Sequence, residues 1–292
     1  MGLISTLING LSSGGIYAMI ALGYTMVYGI AKMLNFAHGD IIMAGGCIMF
    51  FVVTKADMPP LLGVAAAVLF CLILGVLIEK TAYRPLRGAS PLAVLITAIG
   101  VSYLLQSLAQ IIIGTGEKKV MALQIPGGIT IGKLSIDYST LITLAASAVV
   151  MVALSLFVKY SKTGRAMIAV SEDKDAARLM GINVNFIITL TFAIGSVLAA
   201  LAGYFMLIKS PTVTFTMGAM PGIKAFTAAV IGGIGSIPGA MLGGIFLGVV
   251  EALANKIPAI APYTEAIEFS ILIIILLVKP SGLLGKKRRE KV

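Results

Sequence analysis

His38 is the single histidine in the chain, and with Asn35 and Asp40 it makes the nearest thing to an acid–base cluster. A serine nucleophile would need a general base, and His38 lies in no strand–turn–helix setting that could serve one. No cysteine–histidine spacing suits a metal; Cys47 and Cys71 fall in apolar runs, where a thiol packs as a small hydrophobe. Gly114-Thr115-Gly116-Glu117-Lys118 lacks the G-x-x-x-x-G-K-[ST] spacing of a phosphate loop. Catalysis is therefore not expected, nor a cofactor bound by this chain, and any ATP hydrolysis falls to a partner. The chemistry that remains is hydrogen bonding along a path. Thr97, Ser102 and Gln106 recur along one apolar run, and Thr227 lies in another. Such neutral groups suit a solute without net charge, and equally suit bonding between helices. Asn35, His38 and Asp40 sit at a break between runs. They either line a gate or pathway, or satisfy backbone groups freed at the inner boundary.

The elements that must hold these groups are membrane helices. Of 292 residues, 59% are hydrophobic and 12% charged, against about a quarter charged in soluble chains. Mean hydropathy is +1.04. The expected class is an all-α polytopic membrane protein, one transmembrane domain over 1–292. The net charge of +10 invites a nucleic-acid reading, but fifteen of the 22 basic residues fall at Lys32 or within 80–87, 159–178 and 279–291. That clustering is the positive-inside pattern of cytoplasmic loops, so lipid and not nucleic acid is the partner it implies. No basic flank precedes the first apolar run, so no cleavable signal is expected.

Residues 1–31 carry no charge and are long enough to span once. Gly10, Gly14 and Ala18 recur at the four-residue spacing that lets membrane helices approach closely. A second span ends near Lys55, a third covers about 61–78 before the basic loop Tyr83–Arg87, and a fourth covers 92–113. Residues 114–138 are turn-rich and fall outside (periplasmic), with a small hairpin around Pro126-Gly127-Gly128. A fifth span covers 139–158, and a long one, 184–208, carries Gly195, Ala199 and Gly203. An outer loop is expected up to Pro221. Gly232, Gly233, Gly235, Pro238 and Gly239 then break the uncharged run 225–250 into a short or re-entrant helix and a full span. The last span, 264–279, leads to the basic cytoplasmic tail 280–292. The count is eight or nine crossings; nine puts the N-terminus outside, eight inside. His38-Gly39-Asp40 before Gly45-Gly46 echoes Ser236–Gly239 before Gly243-Gly244, as duplicated halves with central breaks would. Glu251 and Glu268 are expected at the interface, and the resulting scarcity of buried charge argues against a proton-driven pump.

One polar island remains, Lys159–Asn183, with five basic and three acidic residues. Its second half reads as a helix from Glu172 to Met180, roughly 14 Å long. Ser171 is the expected N-cap, Glu172 and Asp173 occupy the first turn, and Gly181 stops the rod. Ala176, Leu179 and Met180 share one face; Lys174 and Arg178 point the other way. Such a rod rests on headgroups or lies in a groove of another protein.

Asp175-Ala176-Ala177-Arg178-Leu179-Met180-Gly181 resembles the EAA-x-x-x-G coupling loop of ATP-binding-cassette importer permeases, with Asp175 replacing the usual Glu. The runs 10–21, 22–40, 83–87, 163–166 and 224–244, in matching order, are similar to the branched-chain amino acid permease family, its smaller permease subunit above all. The resemblance implies a bacterial inner-membrane complex with the C-terminus cytoplasmic: two different permeases, two ATP- and Mg-binding subunits, and a periplasmic binding protein delivering leucine, isoleucine or valine. Residues 172, 173 and 175–181 would then dock on an ATPase subunit. Related permeases for urea, short amides or other amino acids fit the same resemblance, and an autonomous channel or ion-coupled carrier is the reading from another class.

Overall fold

An uncharged run of 29 residues, Leu3–Ala31, forms α1 and sets the axis of the molecule. The computed structural model describes residues 2–123, 125–131 and 134–285. In chain order follow α2 (His38–Met49), prolonged by a π-helical turn to Lys55, and α3 (Pro60–Ile78), prolonged through Leu86. Then come α4 (Pro91–Ile113), β1 (Lys118–Lys119), β2 (Gly128–Ile131), β3 (Leu134–Asp137) and α5 (Tyr138–Tyr160). The polar island holds α6 (Lys162–Glu172) and α7 (Lys174–Leu179). The remainder is α8 (Val184–Lys209), β4 (Thr212–Val213), α9 (Ala219–Gly232), α10 (Ile237–Lys256) and α11 (Thr264–Val278).

The small-residue faces find one another. Gly10, Gly14 and Ala18 of α1 lie against α10, so that a Cβ on Gly14 would stand 2.7 Å from Ile245 Cα and one on Gly244 would meet Ala18 Cβ at 2.7 Å. Gly195 of α8 faces Gly23, and Gly203 faces Ile42. Lipid tails are as apolar as leucine, so close backbone approach and dispersion, not hydrophobic exclusion, hold these helices together. By contrast α4, α5 and α11 expose Leu104, Ile111, Val149 and Leu277 along their outer sides, as spans facing lipid do.

Two spans are broken. After α1 closes at Lys32, residues 32–37 run without helix into the interior, and α2 starts against the middle of α1 and α8, with His38 beside Gly23 and Gly195. In the other direction, β4 pairs with β1, Lys118 opposite Val213, at the far face, and the chain then enters the interior to start α9 beside Gly39. α9 ends near Gly29 and Gly285, on the face that carries Arg87 and α7. Among the described residues the chain therefore crosses nine times: eight long apolar helices and the β4–α9 segment. The start of α1 and the end of α11 consequently lie on opposite faces.

Several expectations are corrected. The loop proposed up to Pro221 already contains the start of α9. The basic loop Tyr83–Arg87 is mostly helix, because Tyr83 is buried to donate its hydroxyl to Asn35 Oδ1 at 2.8 Å and wholly buried Glu79 pairs with Arg87. The break at Gly232–Gly239 lies at the basic face, where Gly233 adopts φ 107 beside Gly285, so the echo between residues 38–46 and 236–244 joins turns at different depths. The hairpin after Pro126 is present as β2 and β3, Ile129 opposite Ile136; the β1–β4 pair had no local signal.

Candidate functional site

The basic-face rod is built differently from the expected single helix. Ser161 caps α6 by accepting from Gly164 N–H, and Ser171 is spent inside it, donating to Ile168 O. Asp173 breaks the chain at φ −152 and caps α7, accepting from the N–H groups of Asp175 and Ala176 at 2.9 and 3.0 Å. One carboxylate thus satisfies two of the orphan donors of the new helix, where Ser171 would satisfy one. The kink also lets Ala177 drop into the core, 3% exposed. Gly181, at φ 80, then turns the chain into the Asn183 cap of α8.

What this leaves outside is an apolar tip. Leu179 is 89% and Met180 82% exposed, with Ala176 exposed beside them. Arg178 bridges Asp175 at 3.0 Å in water, a pair worth little to stability. On the inner side Lys174 donates to Ala31 O at 2.9 Å, covering a carbonyl that the end of α1 leaves free. Burial first, then the charges of Arg87 and Arg178, hold Lys174 below its ordinary pKa. A second clamp stands next to it: Glu79 takes Arg87 and the Thr189 hydroxyl, and Arg87 reaches Asn185 Oδ1 at 2.5 Å. The rod is therefore tied to α1, and the start of α8 is tied to the end of α3.

The interior cluster is partly as expected. Asp40 Oδ1 accepts from Gln106 Nε2 at 2.9 Å, and Gln106 also donates to Ser102 Oγ at 3.2 Å. His38 is fully enclosed, its ring edge-on to Tyr24 at 4.7 Å, and its Nε2 has no hydrogen-bond partner among the described residues. These groups lie mid-protein, not at a boundary, because α2 starts there. Asn35 is apart from them on Tyr83. Thr97 stands outside the network, and Thr227 is buried in α9. Of the predicted breaks, Gly232 and Gly239 pack on each other where α9 and α10 meet.

A charged cluster was missed. Lys224 of α9 sits 2.6 Å from Glu251 Oε1 and 3.3 Å from Glu268 Oε2, with Glu268 fully buried. Glu268 is thus not interfacial, and buried charge is not scarce. The sequence signal was partial: charged residues carried in apolar runs need partners, but nothing local says which.

Nine crossings, two spans broken at mid-depth and a tied rod on one face define a polytopic transport permease. A family model described as "Branched-chain amino acid transport system / permease component" matches residues 6–276. The chain is 43% identical to the high-affinity branched-chain amino acid transport system permease protein BraD of Pseudomonas aeruginosa, covering 99% of this chain and 98% of that one. It is 40% identical to LivH of Escherichia coli K12, over 99% and 97%. A probable LivH of Methanocaldococcus jannaschii is 26% identical, over 91% and 88%. The protein belongs to the branched-chain amino acid permease family.

Proposed function

We propose that this chain is the transmembrane permease subunit of an ATP-binding-cassette importer for leucine, isoleucine and valine. The observation that carries the reading is the Leu179–Met180 tip: two large apolar side chains held in water on a rod tied to α1. A soluble protein surface that exposes such a pair invites a partner, and the tie gives that partner a lever on the spans. The relatives are named for branched-chain amino acid transport, which supports the substrate class. In this reading the basic face is cytoplasmic, in a bacterial inner membrane. Two ATP-hydrolysing subunits, with their Mg, dock there. A second, homologous permease completes the membrane core, and a periplasmic binding protein delivers the amino acid to the far face.

Alternating access follows from how the rod is built in. A push on α7 moves the end of α1 through Lys174. The start of α8 follows through Gly181 and Asn183, and the two broken spans meeting at Gly39 and Gly218 provide the interior joint. The test is purification of the chain from its native membrane, followed by reconstitution. Co-elution of ATP-hydrolysing subunits and leucine uptake that requires ATP is the expected result. Leucine flux through the isolated chain without nucleotide would overturn the reading in favour of an autonomous carrier.

A further inference from the structure

On the face opposite the rod, a cleft of about 740 Å3 opens among the first turns of α1 and the last turns of α8 and α10, within the roughly 300–1,000 Å3 usual for small-molecule sites. Its wall has two characters. Ile16, Met206 and Ala252 form an apolar side. Ser13, Lys209, Glu251 and Lys256 belong to a polar one, with Lys209 Nζ donating to Ser13 Oγ at 2.8 Å. Behind Glu251 stands Lys224 at 2.6 Å, and behind Lys224 stands Glu268 at 3.3 Å.

Lys209 and Glu251 act on each other electrostatically, and Lys256 adds a second cation to the lining. The cleft therefore presents both signs of charge next to an apolar surface. A solute with an ammonium and a carboxylate on one carbon, plus an aliphatic side chain, matches all three surfaces at once.

We propose that this cleft is the receiving site for the transported amino acid, with Lys209 and Ser13 taking its carboxylate and Glu251 its ammonium. Ile16 and Met206 take the side chain. The assignment rests on the transport reading and adds to it where the substrate first enters the membrane part and which two charges select a free, uncharged-side-chain amino acid.

The experiment uses the whole importer in liposomes, carrying Ala252→Cys in the cleft wall. Both native cysteines of this chain, Cys47 and Cys71, are buried, and labelling of the importer without the substitution is subtracted, so a charged methanethiosulfonate reports on the introduced thiol. Leucine should slow the labelling several-fold, whereas leucinamide, which lacks the carboxylate, and 4-methylpentanoate, which lacks the ammonium, should not. In the same vesicles Lys209→Met and Glu251→Gln should each raise the KM for leucine about tenfold, the worth of one charge-assisted hydrogen bond. Labelling indifferent to leucine, in vesicles that do import leucine on ATP, overturns the cleft assignment and leaves the transport reading standing. Equal protection by leucinamide overturns the carboxylate half. No ATP-driven leucine uptake by the unsubstituted importer overturns the transport reading itself. Because the protection assay needs no charge-removing substitution, it stands even if Glu251→Gln misfolds.

Discussion

Gly39 and Gly218 touch backbone to backbone at the point where the two broken spans start. A Cβ on Gly218 would stand 2.7 Å from the carbonyl carbon of Gly39 and 3.2 Å from Met43 N. From that point α2 runs to one face and α9 to the other, so any change in their crossing angle passes through this contact. Gly218→Ala forces backbone apart in a filled interior, at about 1–3 kcal/mol. It should lower Tm and slow uptake together. Gly100 of α4 has nothing within 4 Å of its missing Cβ. Gly100→Ala should leave Tm unchanged or raise it, since alanine is the better helix former by about 1 kcal/mol. Thermal unfolding in detergent compares the two directly.

The spans were legible because lipid demands long uncharged runs, and residues 1–31, 92–113 and 184–208 all became helices within a few residues. The glycine faces were legible because four-residue spacing puts small residues on one stripe. Depth was not. Nothing local in His38-Gly39-Asp40 says that its helix starts mid-protein; only the packing of Gly39 on Gly218 and Gly222 does. Lys224 was lost by one residue, since the apolar window opened at Ala225 and left the lysine as a flank. Its partners Glu251 and Glu268 come from two other helices, a tertiary fact that no window of sequence contains. The cap of α7 passed from Ser171 to Asp173 for a similar reason: both residues are good caps, and burial of Ala177 decides between them.

Removing that cap separates stability from coupling. Asp173→Ala frees two donors at the start of a six-residue helix and should cost about 1 kcal/mol locally. The rest of the membrane core should unfold at nearly its former temperature. Asp173→Asn keeps a side-chain oxygen able to accept from Asp175 and Ala176, so it should behave as the parent. Uptake driven by ATP is the readout: Ala impaired, Asn restored. Equal impairment by both would point to the charge of Asp173 and not its capping.

The tip is open to a cleaner substitution. Leu179 makes little contact with the rest of the chain at 89% exposure, so Leu179→Asp should leave Tm within about 0.5 kcal/mol of the parent. An unpaired carboxylate placed in an apolar docking groove should nevertheless cost the partner its seat. Co-purification of the ATP-hydrolysing subunits is expected to fall sharply. A complex that survives the substitution intact would mean that the tip faces lipid headgroups.

Lys224 carries the largest expected stability loss, because it is the only cation within ion-pair distance of Glu268 among the described residues. Lys224→Met leaves a fully buried carboxylate and a nearly buried one facing each other without a counter-charge. Breaking a buried pair from one side costs about 3–5 kcal/mol, most of it the penalty on the groups left behind. Glu268→Gln is milder, since Lys224 keeps Glu251 at 2.6 Å. If the loss in Lys224→Met comes from the stranded carboxylates, then adding Glu268→Gln to it should recover part of the Tm. Simple packing damage at position 224 would instead make the two losses additive, and a double-mutant cycle on unfolding tells these apart.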